Sequence, residues 1–184
     1  SQFDALNVKN VAMEVSSHAL TQRRVTGELF DIAVFTNLSR DHLDYHQTMD
    51  AYAAAKFSIF TLESNQIAIV NGDDEYVQAW LAKQKNTNHI IFGKSESIST
   101  HKQYVKALDI KHSATGLTFT LETHLGKVAI NSQLLGDFNV ENLLAAISVL
   151  IAKGTDLNDV AIAVSKVSPV IGRMETFTAK NKAT

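Results

Sequence analysis

At 184 residues with 45% hydrophobic content, the chain is long enough to bury a substantial core as one domain, or one domain with a small appendage. A formal charge of -2 and the lack of any long basic run argue against a generic nucleic-acid or membrane surface. Cysteine is absent, which excludes a disulfide framework and a thiolate metal site, and no stretch reaches the ~18 consecutive apolar residues of a membrane-spanning helix, so a cytoplasmic protein is expected.

In chain order, Ser1 to Asn10 lacks an initiator Met and reads as the tail of a helix or a linker, so the natural polypeptide is expected to start earlier. Val11 to Val15 is a short apolar run ending in Ser16, Ser17 and His18, and predicts a first strand. Ile32 to Thr36, Ile67 to Val70 and His89 to Phe92 repeat the pattern, each running apolar residues into a polar or glycine-bearing loop. Between them, Thr48 to Phe60 and Glu75 to Lys85 carry apolar residues at helical spacing, with Thr48 as N-cap of the first. Alternating strands and helices predict an α/β fold with a mostly parallel sheet flanked by helices. The period then changes. Tyr104 to Ile110, Leu117 to Leu121 and Lys127 to Ile130, with turns at Gly116 and Gly126, predict a small antiparallel subsheet added to the same domain. Two helices follow, Val140 to Ala152 and Leu157 to Val167, the second with Thr155 and Asp156 as capping candidates, and METFT at Met174 to Thr178 reads as the start of another strand.

In an open parallel sheet, ligands bind outside the carboxyl ends of the strands. The loops after the first two predicted strands therefore share one crevice, lined by Glu14, Ser16, Ser17 and His18 on one side and Asn37, Asp41, His42 and Asp44 on the other. A carboxylate and an imidazole among oxygen donors suit Mg²⁺ or Mn²⁺ better than zinc. The same residue types also fit plain structural work: Glu14 paired with an arginine, Asp41 capping a turn, His42 bonded to backbone. Lys56 is the unusual feature. On a helical wheel it falls near the middle of the apolar stripe, one turn after Tyr52 and one before Phe60, which predicts a buried address for a charge unless the side chain snorkels to water.

Five segments in order resemble the central domain of the Mur ligases: MEVSSHALTQRRV at Met13 to Val25, FTNLSRDHLDYH at Phe35 to His46, AAK at Ala54 to Lys56, GDFNVENLLAA at Gly136 to Ala146 and GRMETFT at Gly172 to Thr178. The wording is nearest the branch of that family that adds a diamino acid to UDP-MurNAc-L-Ala-D-Glu. The resemblance implies an ATP-dependent amide-bond ligase of peptidoglycan precursor synthesis working through an acyl phosphate. It implies that Glu14, His42 and Lys56 hold Mg²⁺, with Lys56 carbamylated by CO₂ and Lys56 and His42 catalytic. Burial suits that modification, because only the neutral amine reacts with CO₂ and an apolar site favours it. Ser16, Gln22 and Arg24 match positions that contact the UDP-MurNAc-dipeptide. Asn139, Asn142 and Arg173 match positions that contact ATP, although Asn139 also fits a simple N-cap. The diamino acid is expected to be meso-diaminopimelate, and neither nucleic acid nor membrane is an expected partner.

Asp73 and Asp74 are assigned no role beyond turn formation and surface charge, and His46, His89, His101, His112 and His124 are read as surface or packing residues. The family's glycine-rich phosphate loop, its N-terminal UDP-binding domain and its C-terminal amino-acid-binding domain do not occur in the 184 residues. The chain therefore reads as a single domain, the larger part of an ATP-binding central domain, inactive alone. The alternatives are another Mur-type ligase, such as MurF or a folylpolyglutamate or cyanophycin synthetase, and a catalytically silent nucleotide-binding module.

Overall fold

The computed structural model describes residues 6–27, 30–39, 43–60, 66–83 and 88–169. Among these residues six strands form one sheet in the order in which they occur along the chain: β1 (Ile32–Phe35), β2 (Ile67–Asn71), β3 (His89–Gly93), β4 (Tyr104–Ser113), β5 (Gly116–Thr123) and β6 (Gly126–Ser132). β1 to β4 run parallel, and β4, β5 and β6 pair antiparallel. The expected antiparallel addition is present, and it is continuous with the parallel half because β4 belongs to both. The segment Met174 to Thr178, expected as a strand, lies outside the described residues.

The helices are α1 (Ser17–Thr21), α2 (Leu43–His46), α3 (Met49–Phe57), α4 (Glu75–Leu81), α5 (Phe138–Ala152) and α6 (Leu157–Ser165), with a 3-10 helix at Glu96–Thr100. Successive residues of a strand face opposite ways, so the near-continuous apolar runs of β2 and β3 require cover on both faces. They have it. Ile69, Ile90 and Phe92 pack with Val140, Leu144 and Ile147 of α5, while Val70 and Ile91 pack with Phe60, Val77 and Ile98 on the opposite face. The connections through α3, α4 and the 3-10 helix thus all pass over one face, as strands added in one direction by crossovers of constant hand require. Val140, Leu143, Leu144, Ile147 and Ile151 give α5 a buried stripe at helical spacing, and buried Ser148 satisfies its hydroxyl on the Leu144 carbonyl at 2.7 Å.

One expected strand is not formed. Val11 to Val15 lies in no ladder, and Val11 and Met13 are 61% and 56% exposed. The segment runs in the same sense as the strands, from Asn10, bonded to Lys153 at the carboxyl end of α5, to Ser17, bonded to His46 beyond β1. Apolar content alone does not make a strand; a neighbour must complete its backbone hydrogen bonds, and among the described residues none does.

A polar cluster occupies the face of the antiparallel half. Glu122 accepts from Lys127 at 2.6 Å and from the Tyr104 hydroxyl at 3.3 Å, and the Lys127 hydrogen bond is the main reason its carboxyl is held below 4.5. A carboxyl lowered in the folded state contributes stability that is present above its unfolded pKa and disappears as pH falls through the folded value. Glu122→Gln is therefore expected to melt slightly below wild type at neutral pH. Thermal unfolding across a pH series should show the two curves converging as the pH drops below about 4.5.

Candidate active site

The carboxyl ends of β1, β2 and β3 are drawn together by side chains of the turn that leaves β2. Asn71 is buried; its amide donates to the Thr36 carbonyl at 2.9 Å, beyond β1, and its oxygen accepts from the Asp73 amide at 3.0 Å. Asp73 accepts from the Lys94 and Ser95 amides beyond β3, at 2.6 and 3.2 Å. Asp74 accepts from the Leu38 amide at 3.0 Å with one oxygen and caps α4 through the Tyr76 amide at 3.0 Å with the other. Two carboxylates read from the sequence as turn and surface charge therefore clamp three strand ends. The turn has no room for larger residues: a Cβ on Gly72 would lie 2.5 Å from Ile91, and one on Gly93 would lie 2.6 Å from the Asp73 carboxylate. A cavity of about 460 Å³ opens beside the clamp, lined by Leu38, Met49, Asp73, Asp74, Glu75 and Tyr76.

Lys56 reaches this edge. It sits in the last turn of α3, where a cation suits the negative end of the helix, and its Nζ donates to the Asn37 carbonyl at 3.2 Å. The ammonium lies 5.1 Å from the ring centre of Tyr52 and 5.9 Å from that of Phe35. Of the two readings of Lys56, a buried address or a side chain that snorkels to water, the structure shows the second. The residue is half-buried, because the stem lies over aromatic faces while the nitrogen emerges at the rim of the sheet. Among the described residues the buried lysine is Lys106 on β4, 2% exposed and bonded to Glu96 at 2.8 Å.

α3 begins as the sequence predicts, with the Thr48 hydroxyl accepting from the Ala51 amide at 3.2 Å and Asp50 in the first turn. Thr48→Ala removes that cap and is expected to cost about 1 kcal/mol, read as a lower denaturation midpoint at unchanged m-value. α3 also carries α1. Buried His46 bonds the Ser17 hydroxyl at 2.9 Å and stacks on Tyr52 at 5.1 Å, confirming it as a packing histidine.

The expected site residues divide into three groups. Glu14 is exposed on the segment before α1; Ser16 is the N-cap of α1, accepting from the Ala19 amide at 3.2 Å; Gln22 is its C-cap, and exposed Arg24 follows. Asn139 and Asn142 share one face at the start of α5, joined at 3.3 Å, and Asn139 also donates to the Leu135 carbonyl at 2.7 Å. The N-cap position of α5 belongs to Asp137, so Asn139 is not the cap. The start of α5 is tied to the end of β3 by Lys94 and Glu141 at 2.8 Å, and this hydrogen bond is the main cause that raises the Lys94 ammonium above 10.5. His42, Asp41 and Arg173, and the side chain of Asp44, lie outside the described residues. Among the described residues no group of three His, Asp or Glu side chains is placed to hold a metal ion, and the expected Mg²⁺ set includes His42, which lies outside them. No helix among them is long and apolar enough to cross a membrane.

The loop after β1 with Asn37 and Leu38, the lysine at its rim and the paired asparagines of α5 lie, in that order, in three of the segments that resemble one family. A family model described as the Mur ligase middle domain matches residues 1–150. The chain belongs to the Mur ligase family. It is 39% identical, over all 184 residues and 38% of the relative's length, to the UDP-N-acetylmuramoyl-L-alanyl-D-glutamate--2,6-diaminopimelate ligase of Haemophilus influenzae (strain PittEE). A solved structure of a ligase of the same name matches 90% of the chain and 34% of its own, at 35% identity and a TM-score of 0.74. MurF ligase from Thermotoga maritima, solved in complex with ADP, matches 82% of the chain and 33% of its own at a TM-score of 0.66, and at 20% identity this likeness concerns the fold alone. The chain thus spans well under half of these Mur ligases.

Proposed function

We propose that this chain is the ATP-handling central part of a ligase that joins a diamino acid, meso-diaminopimelate, to UDP-MurNAc-L-Ala-D-Glu in peptidoglycan precursor synthesis. The observation that carries this reading is the 39% identity to a ligase of that name, sustained over all 184 residues. In the proposed reaction, an oxygen of the D-glutamyl side-chain carboxylate attacks the γ-phosphorus of ATP and ADP leaves. The diamino acid's amine then attacks the acyl carbon, loses a proton, and phosphate departs. Positioning and charge stabilisation supply most of the rate in such a transfer.

Within this reading, Asn139, Asn142 and Arg173 hold ATP, and Ser16, Gln22 and Arg24 hold the dipeptide precursor. Lys56 adds CO₂, forming an N–C bond and releasing a proton, and with Glu14 and His42 would hold Mg²⁺, which neutralises charge on phosphate oxygens. The cytoplasm, where ATP and nucleotide precursors meet, is the proposed compartment.

The test uses the complete polypeptide that carries this chain, supplied with ATP, UDP-MurNAc-L-Ala-D-Glu and meso-diaminopimelate. The reading expects ADP release that requires both other substrates, with the tripeptide product seen by mass spectrometry. Release indifferent to the dipeptide precursor, or ligation only of a different amino-acid substrate, would overturn it. The 184-residue chain alone is expected to ligate nothing.

A further inference from the structure

Asp74 and Lys56 hold opposite sides of one peptide unit. The Asp74 carboxylate accepts from the Leu38 amide at 3.0 Å, and Lys56 Nζ donates to the Asn37 carbonyl at 3.2 Å. The carbonyl of residue 37 and the N–H of residue 38 belong to the same planar peptide bond, and in a trans peptide they point in opposite directions. Backbone of this segment contains no cis bond. Fixing the Leu38 N–H therefore fixes the direction in which the Asn37 carbonyl faces Lys56.

The carboxylate is itself well anchored. Its other oxygen accepts from the Tyr76 amide at 3.0 Å, so its position is set by the first turn of α4. Asn71, donating to the Thr36 carbonyl at 2.9 Å, holds the same loop two residues earlier. An ionised carboxylate can serve two amide donors at once, and such charge-assisted bonds are stronger than neutral ones. A serine at this position would keep the helix cap but could not also reach Leu38, and an asparagine would turn its NH₂ towards one of the two donors.

We propose that Asp74 is a positioning residue for Lys56: through the rigid Asn37–Leu38 peptide it sets where the lysine nitrogen stands at the mouth of the crevice. The proposal rests on the ligase reading for its effect on turnover, but its structural half stands apart from it. A merely structural Asp74 would lower stability and leave the catalysis of the folded fraction unchanged. A positioning Asp74 lowers kcat at full folding, leaves KM for ATP unchanged, and acts only while Lys56 is present.

The experiment is a double-mutant cycle in the complete polypeptide, using Asp74→Ser, Lys56→Ala and the pair, with hydrogen exchange followed at the Leu38 and Tyr76 amides. Asp74→Asn, closest in volume, serves if the serine variant folds poorly. The expected result is a kcat loss of about 10- to 100-fold for Asp74→Ser, the size of effect that misplacing a group at a reacting centre produces. On the Lys56→Ala background the further loss should be less than about twofold, since the group being positioned is gone. Leu38 should exchange at least about tenfold faster while Tyr76 stays protected. Equal losses on both backgrounds, no loss on either although Lys56→Ala itself lowers turnover, or unchanged Leu38 exchange would overturn the proposal. If Lys56→Ala leaves turnover intact while Leu38 exchange accelerates, the positioning link survives and the ligase role assigned to Lys56 fails.

Discussion

Replacing Lys56 by alanine in the complete ligase is expected to lower kcat about 10²- to 10³-fold, the loss typical of removing one pre-organised polar group from a reacting centre. KM for ATP should move by no more than a few-fold, because the asparagines assigned to the nucleotide lie on α5 and not on the lysine's helix. The loss cannot be laid to unfolding. The side chain is half-buried, its hydrogen bond is to a single carbonyl, and its two ring contacts lie 5.1 and 5.9 Å away, each an interaction of about 0.5–1 kcal/mol at such a site. Thermal unfolding of the variant should therefore stay within a few degrees of wild type. Small molecules that refill the space distinguish two chemistries. If Lys56 works as a carbamate, acetate or formate should restore part of the activity, and a short alkylamine should not. Rescue by the amine alone would mean that the residue acts as an ammonium. Intact turnover in Lys56→Ala would leave it as a helix residue resting on aromatic rings.

Gly116→Ala is expected to be the most damaging single methyl group in the antiparallel half. Gly116 has φ +154, and a Cβ there would lie 2.0 Å from the carbonyl oxygen of Ser132 and 3.1 Å from the Cα of Gln133. These are backbone atoms at the end of β6, so no side chain can swing away; β5 and β6 must part. On the other side, Gly116 is paired with Ser113 of β4, whose hydroxyl donates to the Gly116 carbonyl at 3.0 Å, so β5 is not free to retreat either. Backbone strain and overpacking together should cost about 2–4 kcal/mol. For a chain of this length that lowers Tm by roughly 5–15 °C. Gly154→Ala is the matched control. Gly154 ends α5 with φ +80 and would place a Cβ in open space, so that variant bears only the left-handed backbone cost of about 1–2 kcal/mol. A Gly116→Ala protein as stable as Gly154→Ala would show that the strand pair yields more easily than its geometry implies.

Much of the candidate site was legible because its parts are local. Thr48 and Asp156 cap the helices that follow them through amides two or three residues away, an interaction that needs no knowledge of the rest of the chain. Asn139 and Asn142 meet because residues three apart share a helix face. The carboxyl-end position of Asn37 follows from a strand running into a polar loop. The role of Asp74 was not legible. Its partner is 36 residues away, and an Asp that follows Asn71, Gly72 and Asp73 reads first as a turn. Gln66 is a similar case: buried before β2, its amide reaches the carbonyls of Gly27 at 2.8 Å and Phe30 at 3.1 Å, contacts no local pattern announces.

The sequence by itself determined β1 to β6 and the helices α3 to α6 and where most of them stop, but it reads α1 and α2 as loop. Periods of two and of 3.6, caps and glycine turns are properties of a few neighbouring residues. The tertiary structure alone decided which of these segments found partners. Val11 to Val15 has strand composition and no ladder, because backbone hydrogen bonds must be completed by a second chain segment. It also decided which lysine is buried. A helical wheel shows the direction of Lys56 but not the distance to the rim, where its nitrogen emerges. Lys106, on a strand whose pattern announces no burial, is covered because the 3-10 helix at Glu96–Thr100 packs on β4 and supplies Glu96 at 2.8 Å. Burial and charge pairing are set by what lies opposite a residue in space, and a linear pattern carries only half of that pair.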